Sequence, residues 1–382
     1  MPKVILSHNN IISSLGFDSA TVVNQISKEA SGLELIAEPK ISLRPFYSSM
    51  ISSDSLQEAF AVLDSEKPYT RLEQMLMVSL SKILKTSKLE LTNRVGLIIS
   101  TTKGNIDVLE ADSTFPKERG YLSVLGKEIQ NHFDFKTVPI VLSNACVSGV
   151  LALAVAKRLV NQDTFDHVFV VAGDLVTKFI ISGFNSFQAL SDVPCRPYCK
   201  TRSGINIGEV AASVLVTKNK SLLVKESVEI LGEGSCNDAN HISGPSRTGE
   251  GLFRSVQSAL KEANLSPKDI DYISAHGTAT LFNDEMESIA FNRADLGLTP
   301  LNSLKGYFGH TLGASGLLET IIGMHSLHRN TLLASKGFQE LGVTKPLNII
   351  EKTTPKEITT FLKTASGFGG SNTAAVFQKI IN

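Results

Sequence analysis

The chain is short of charge, of cysteine and of long apolar runs, and each shortage excludes something. Lys and Arg number 37 and Asp and Glu 37, so the formal net charge is zero. No global field then favours nucleic acid or an anionic membrane, and binding must rest on local features. The charged share of 19% lies below the roughly 25% of ordinary soluble domains, which predicts that another subunit covers part of the surface. Four cysteines, Cys146, Cys195, Cys199 and Cys236, are too few for a disulfide scaffold at this length and lack paired zinc spacing. A reducing compartment follows. No apolar run approaches the roughly 18 residues needed to cross a bilayer, and the opening MPKVILSHNN is interrupted by His8, Asn9 and Asn10 before any signal-like core forms. The expectation is a cytoplasmic protein without a membrane span. Low-complexity stretches and Pro/Ser/Gly-rich linkers are missing as well.

What is present is ample apolar material, 42% of 382 residues. At roughly 150 residues per domain that length predicts two folded units or one large duplicated one. β-Branched runs at 95–101, 138–145, 167–173, 212–218 and 221–234 alternate with helix-length amphipathic segments such as 70–85 and 147–160. That alternation predicts an α/β protein. A repeat sharpens the prediction, because Ser148-Gly149-Val150-Leu151 matches Ser315-Gly316-Leu317-Leu318 at an offset of 167, each copy lying between a strand-like run and a helix. Two weaker echoes pair 168–173 with 331–337 and GEVAASVLV with GGSNTAAVF near the end. Duplication of one α/β unit follows, with halves at 1–220 and 221–382.

Cys146 falls where a strand gives way to a helix, flanked by Asn144, Ala145, Ser148 and Gly149. Backbone N–H groups at a helix N-terminus stabilise a thiolate, lower its pKa and donate to an oxyanion. A buried cysteine acting as a small hydrophobe is the other reading of this residue. For Cys195, Cys199 and Cys236, in loop-like sequence, that second reading is preferred. Two histidines stand beside glycines, His276 in His-Gly-Thr-Ala-Thr and His310 in Gly-His-Thr-Leu-Gly, with Lys305 five residues before His310. Glycines there permit tight turns and close ligand approach. His325 and His328 sit three apart on a predicted helix; with no further ligand near in sequence they are read as a solvated face. The loop Ser366-Gly367-Phe368-Gly369-Gly370-Ser371-Asn372 lacks the lysine of a phosphate-binding loop.

Taken together, these residues give the chain a resemblance, over nearly its whole length, to the β-ketoacyl-acyl carrier protein synthases, condensing enzymes of the thiolase-fold family. NACVSG matches the family's nucleophile motif, HGTATLFND its first histidine with Asp284 and Glu287 at the family spacing, KGYFGH its lysine and second histidine, and GFGG its closing loop. The resemblance implies a thiolase-like fold of two duplicated βαβ-type halves in five α/β/α/β/α layers. It implies a decarboxylative Claisen condensation of an acyl thioester with malonyl-acyl carrier protein. Cys146 would be the nucleophile, and Phe368 would share the oxyanion with it. His276 and His310 would be the enolate donors, with Lys305 and Glu319, fourteen residues apart, organising them. Thr278 and Thr280 would bind the phosphopantetheine arm, and Phe184 would line the acyl pocket. No cofactor or metal is implied. The implied partners are an acyl carrier protein and a second ketosynthase-like subunit, in a homodimer or a heterodimer.

Carrier proteins are acidic, so a local basic patch is expected, with Lys67, Arg71 and Arg202 as candidates. Several positions depart from the family pattern: Ser7-His8-Asn9-Asn10 replaces a glycine-rich start, Tyr198-Cys199 stands for Phe-Asp, and Ser100-Thr101-Thr102-Lys103-Gly104 stands where housekeeping members carry Gly-Ile-Gly. These departures concern the acyl substrate and predict a divergent enzyme of fatty acid or specialised polyketide and polyene synthesis. A competing reading is a non-catalytic chain-length-factor-like partner subunit, against which the complete set of Cys146, His276, Lys305 and His310 speaks. A thiolase would need a second cysteine near the C-terminus, and none lies beyond Cys236. A coenzyme A-primed synthase would carry Cys-His-Asn, and a Cys-His hydrolase has no need of two histidines and a lysine.

Overall fold

The computed structural model describes residues 3–65, 67–238 and 244–380. The strands of its main sheet are β1 (Ile5–Ser13), β2 (Val95–Ser100), β3 (Ile140–Leu142), β4 (His167–Asp174), β5 (Val210–Thr217), β6 (Val228–Asn237), β7 (Tyr272–Ser274), β8 (Pro300–Asn302), β9 (Asn348–Ile349), β10 (Thr360–Gly367) and β11 (Ser371–Lys379). Their order across the sheet is β9-β8-β7-β10-β11-β6-β1-β5-β4-β2-β3. β2 and β5 are buried along their full length and β4 from Val168 onward, as continuous Val/Ile/Leu/Ala runs require when both faces are covered.

The order divides into two copies of one pattern. In the first, β1-β5 and β5-β4 are antiparallel and β4-β2 and β2-β3 parallel. In the second, β6-β11 and β11-β10 are antiparallel and β10-β7 and β7-β8 parallel. The copies join through a short antiparallel contact of β1 with β6, Ile5 opposite Glu229 and Leu6 opposite Val228.

Six helices complete the layers: α1 (Arg71–Ser87), α2 (Leu122–Phe133), α3 (Ser148–Asn161), α4 (Glu250–Ala263), α5 (Leu281–Arg293) and α6 (Ser315–Arg329). α1 begins on a reciprocal cap, Thr70 accepting from the Glu73 N–H while the Glu73 carboxylate accepts from the Thr70 N–H. α1 packs on strands of the first copy and α4 on strands of the second, whereas α3 and α6 each touch strands of both copies and form the middle layer. Thirteen residues in unbroken succession, Ser315 to Leu327, are buried on α6. A helix buried all round belongs in an interior, and its polar side chains there are paired, Glu319 with Lys305 and Lys363 among them. The five layers of the thiolase-like architecture are therefore present.

The repeat in the sequence has a physical reason. α3 starts at Ser148 and α6 at Ser315, and the two helices cross at their first turns. A Cβ on Gly149 would stand 2.6 Å from the Leu317 nitrogen, and one on Gly316 2.6 Å from the Val150 nitrogen. Only glycine permits that approach. GEVAASVLV and GGSNTAAVF fall on β5 and β11, which are equivalent. The pairing of 168–173 with 331–337 is corrected: the counterpart of β4 is β10, while 331–337 holds a two-residue strand, Thr331–Leu332, paired with Thr354–Pro355. The run at 221–234 is also shorter as a strand than expected, since Lys220–Leu222 is a 3-10 turn and β6 starts at Val228.

Candidate active site

Cys146 sits in the turn between β3 and α3, two residues before the helix. Ser148 staples this turn, its hydroxyl donating to the Ala145 carbonyl at 2.7 Å and accepting from the Asn144 N–H at 2.8 Å. Ala145 is held at φ 44°, a left-handed conformation that costs a residue with a Cβ about 1 kcal/mol or more. From the other half, the loop after β10 closes over the sulfur. A Cβ on Gly367 would meet the Cys146 nitrogen at 3.1 Å, so its absence lets the loop in, and the Phe368 backbone N–H hydrogen-bonds toward the Cys146 thiol. Two backbone N–H groups from different halves thus converge where an oxyanion on an acylated Cys146 would form.

His276 follows β7 and His310 follows the short helix Lys305–Phe308. Their rings meet edge to face with centroids 5.1 Å apart, and one atom each of Cys146, His276 and His310 lie within 4.8 Å of one another. The first half grips His310 by its backbone, whose N–H donates to the Asn206 carbonyl at 2.7 Å and whose carbonyl accepts from the Gly208 N–H at 3.1 Å. Its Nδ1 lies 2.9 Å from the Ser315 hydroxyl, and Nε2 is buried with no protein partner among the described residues. The backbone at 276–278 is shaped by two carboxylates of α5: Glu287 accepts from the N–H groups of His276 at 2.9 Å and Gly277 at 2.7 Å, and Asp284 accepts from that of Thr278 at 2.9 Å. Thr278 and Thr280 face each other through their hydroxyls at 2.9 Å.

Behind the histidines lies a fully buried ionic cluster. Lys305 Nζ donates to the His276 carbonyl at 2.5 Å and to Glu319 Oε1 at 2.9 Å. Lys363, an inward-facing residue of β10, stands 2.5 Å from Glu319 Oε2. Burial first, then Lys305 and Lys363, holds both histidines well below the usual imidazole range, so both rings are neutral at pH 7. The expected lowering of the Cys146 thiol is corrected. Burial pushes it up to about 11, outweighing Lys305, the Phe368 N–H and Lys103, which act the other way. Cys199 behaves in the opposite sense. Its burial is outweighed by hydrogen bonds from the Thr201 hydroxyl and from backbone N–H groups of Glu340, Thr201 and Gln339, and it falls to about 7.

Cys146, His276 and His310 are also the donor types of a zinc site. The two ammonium groups behind the histidines oppose a divalent cation there. The three residues open instead into a cavity of about 460 Å³ lined by Thr278, Thr280, Phe184 and Phe368. Phe368 stacks with Phe184, tilted, at 5.8 Å and meets Phe187 edge to face at 5.5 Å. Leu281 and Phe282 form its exposed rim, Phe282 at 77% exposure.

The expected basic patch does not form from the residues named for it. Arg71 is paired with Glu209, Lys67 with Glu128, and Arg202 is buried with its guanidinium on the Cys199 and Gly342 carbonyls. His325 and His328 are not a solvated face either: His325 is buried with Nε2 3.1 Å from Asn9 Oδ1, and His328 Nε2 meets the Ser227 carbonyl at 2.9 Å. Sequence reasoning missed Phe187, Asp174 and Lys363. Asp174, at the end of β4, accepts from Thr101, from Thr102 and, at 2.8 Å, from the Gly313 N–H, tying the His310 loop to the first half. A lone lysine inside the apolar run TFLKTAS was the available signal for Lys363.

Residues 52–221 match the family described as beta-ketoacyl synthase, N-terminal domain, and residues 228–339 match its C-terminal domain. A 3-oxoacyl-[acyl-carrier-protein] synthase 2 of Staphylococcus aureus is 24% identical, with 99% of this chain and 98% of the relative covered. The enzyme of the same name from Rhizobium meliloti is 32% identical over 62% of this chain and 59% of its own length. Among solved structures, a ketosynthase in complex with its chain length factor from Xenorhabdus doucetiae superposes with a TM-score of 0.88 at 24% identity, covering 99% of this chain and 98% of that one. The ishigamide ketosynthase/chain length factor gives 0.89 at 21% identity with both chains fully covered.

Proposed function

The chain belongs to the β-ketoacyl synthase family of condensing enzymes, and we propose that it joins an acyl group to malonyl-acyl carrier protein through an acyl-Cys146 intermediate. The observation that carries this reading is the convergence of Cys146, His276 and His310 at the base of an aromatic-lined cavity, with the Phe368 N–H aimed at the sulfur.

In the first half reaction the Cys146 sulfur attacks the acyl thioester carbonyl. The oxyanion forms against the Cys146 and Phe368 N–H groups, the carrier sulfur leaves, and the thiol proton passes to it. A resting thiol near 11 needs help to lose that proton, and the neutral histidines beside it can accept it in transit. In the second half reaction the bond from the malonyl carbon to its carboxylate breaks, CO2 departs, and the electron pair becomes an enolate. His276 and His310 donate to the enolate oxygen. The enolate carbon then bonds to the acyl carbonyl and expels Cys146, which recovers a proton from the medium. A donor of this type is worth about 3 kcal/mol in the barrier.

Thr278 and Thr280 face the cavity beside His276, as hydroxyls serving a pantetheine amide should. The carrier protein would deliver its thioester past the exposed Leu281 and Phe282 rim. A second ketosynthase-like chain, identical or related, would pair along β3, a half-exposed edge strand with no neighbour on its outer side among the described residues. The departures at 100–104 favour a specialised acyl substrate, and the decisive comparison is turnover of saturated against polyunsaturated primers. Among the described residues no helix is long and apolar enough to cross a membrane.

The experiment that tests the chemistry is Cys146→Ala. We expect loss of the acyl adduct in the intact-protein mass spectrum and of condensation, in a folded protein, since only a small side chain is trimmed. Condensation retained in that variant refutes the reading.

A further inference from the structure

Lys363 has no part in the chemistry above, yet its side chain lies at the back of the site with no exposure at all. Its Nζ stands 2.5 Å from Glu319 Oε2, 2.8 Å from the Thr364 carbonyl, 3.1 Å from that of Ser274 and 3.3 Å from that of Ala275. All four neighbours are acceptors. A neutral amine has two hydrogens to give and an ammonium three, so this surrounding selects the charged form. Lys305, from the other side of Glu319, donates to the next carbonyl along, that of His276. The carbonyls of 274, 275 and 276 are thus held in succession by two ammonium groups joined through one carboxylate.

The charge of Lys363 gives this grip a consequence. The buried ionisable groups around the two histidine loops are the carboxyl groups of Glu319, Glu287, Asp284 and Asp174 and the cations Lys305, Lys363 and Arg202. They come from β4, β10, α5, α6, the Lys305 helix and the Arg202 loop. Lys305 and Lys363 are the cations that act on both imidazoles. Without Lys363 one positive charge is lost behind the two histidines, in a medium where charge is poorly screened. That loss would weaken the field that favours an enolate and draw a proton onto an imidazole.

We propose that Lys363 is a positioning residue of the active site, a second buried cation that fixes the backbone entering His276 and supplies positive charge under which both histidines stay neutral donors to the enolate. The proposal deepens the functional reading above and rests on it.

The test compares full-length wild type with Lys363→Gln, which can still donate hydrogen bonds but carries no charge, and Lys363→Met, which does neither. Acyl transfer to Cys146 is read by intact mass, malonyl-carrier decarboxylation by CO2 release between pH 5.5 and 8.5, and the histidine titrations by NMR. For both variants we expect acyl transfer at pH 8.5, where the histidines are neutral in variant and wild type alike, within about 3-fold of wild type. Decarboxylation kcat should fall by about 10-fold or more with KM little changed, its acidic limb moving to higher pH. The His276 and His310 titrations should move up with it. Should the Met variant fail to fold, the Gln variant alone decides. Wild-type rates and pH profile in Lys363→Gln would reduce Lys363 to a hydrogen-bonding strut and overturn the proposal, as would equal losses in both half reactions. Wild type that never releases CO2 would sink the functional reading instead, and the NMR titrations would still decide whether Lys363 sets the state of the histidines.

Discussion

Ser315 holds His310 by its inner ring nitrogen, and a hydroxyl has one hydrogen to give. Its oxygen already accepts from the Thr311 N–H at 3.1 Å and lies 3.0 Å from the Thr311 hydroxyl, which can donate to it. When the Ser315 hydrogen then goes to Nδ1, the ring proton rests on Nε2, the atom left free. Ser315→Ala should therefore slow malonyl decarboxylation by about 3- to 10-fold, the worth of one hydrogen bond near 1 kcal/mol. Acyl loading of Cys146 should be untouched, and a matching loss in loading would count against this role. Cys146 yields a second prediction. With its thiol pushed up to about 11, alkylation by iodoacetamide should rise roughly 10-fold per pH unit from 7 to 9. A flat profile there would mean a thiolate already formed at rest.

At the scale of elements, the turn before α3 and the loop after β10 act as one unit, because the second rests on the backbone of the first. Gly367→Ala would place a methyl 3.1 Å from both the Cys146 nitrogen and the Ala145 Cβ. Since that contact is with backbone, the loop must retreat and take the Phe368 N–H with it. We expect a loss of about 100-fold in acyl transfer, measured by single-turnover loading, with little change in melting temperature. An unchanged loading rate would remove Phe368 from the oxyanion site. How much of this was legible in the sequence depends on distance along the chain. NACVSG, HGTAT and KGYFGH are short motifs whose geometry is local, so the residues singled out there do meet around one cavity. The crossing of α3 and α6 was visible because a close approach demands the same Ser-Gly in both copies. What failed was non-local. Arg71 looked free until Glu209, 138 residues away, came to meet it. The thiol of Cys146 was expected to be acidic from its place at a helix end, before the covering loop of the other half was seen to desolvate it.

For the whole molecule, stability should follow the buried histidines. His276 and His310 are held below their unfolded value near 6.5, so the folded state refuses protons that the unfolded chain accepts as pH falls below 6.5. Stability is complete above that pH and is lost below it. Asp174 and Asp284, raised mainly by burial to about 6 and about 7, work in the other direction, their cost growing as pH rises from about 4 toward neutrality. Asp107, raised to about 6, and Glu287, also raised by burial, act with them. With two strongly shifted histidines and five further lowered ones against these four carboxyl groups, the histidines should prevail. A melting temperature lower by several degrees at pH 5.5 than at pH 7 is expected, with the difference reduced in His310→Gln; a higher melting temperature at pH 5.5 would show that the carboxyl groups prevail. One further consequence follows from the first strand. β1 lies in the middle of the sheet between β5 and β6, neither of which exists until the ribosome has travelled from Ser13 to Val210 and beyond. At about 5–20 residues per second the nascent segment waits roughly 10–40 s for its first strand partner. Throughout that interval a strand with two open edges is offered to whatever chaperone or stray chain is near the tunnel exit, so yield in a cell should depend on synthesis speed and holdase supply as much as on the finished fold.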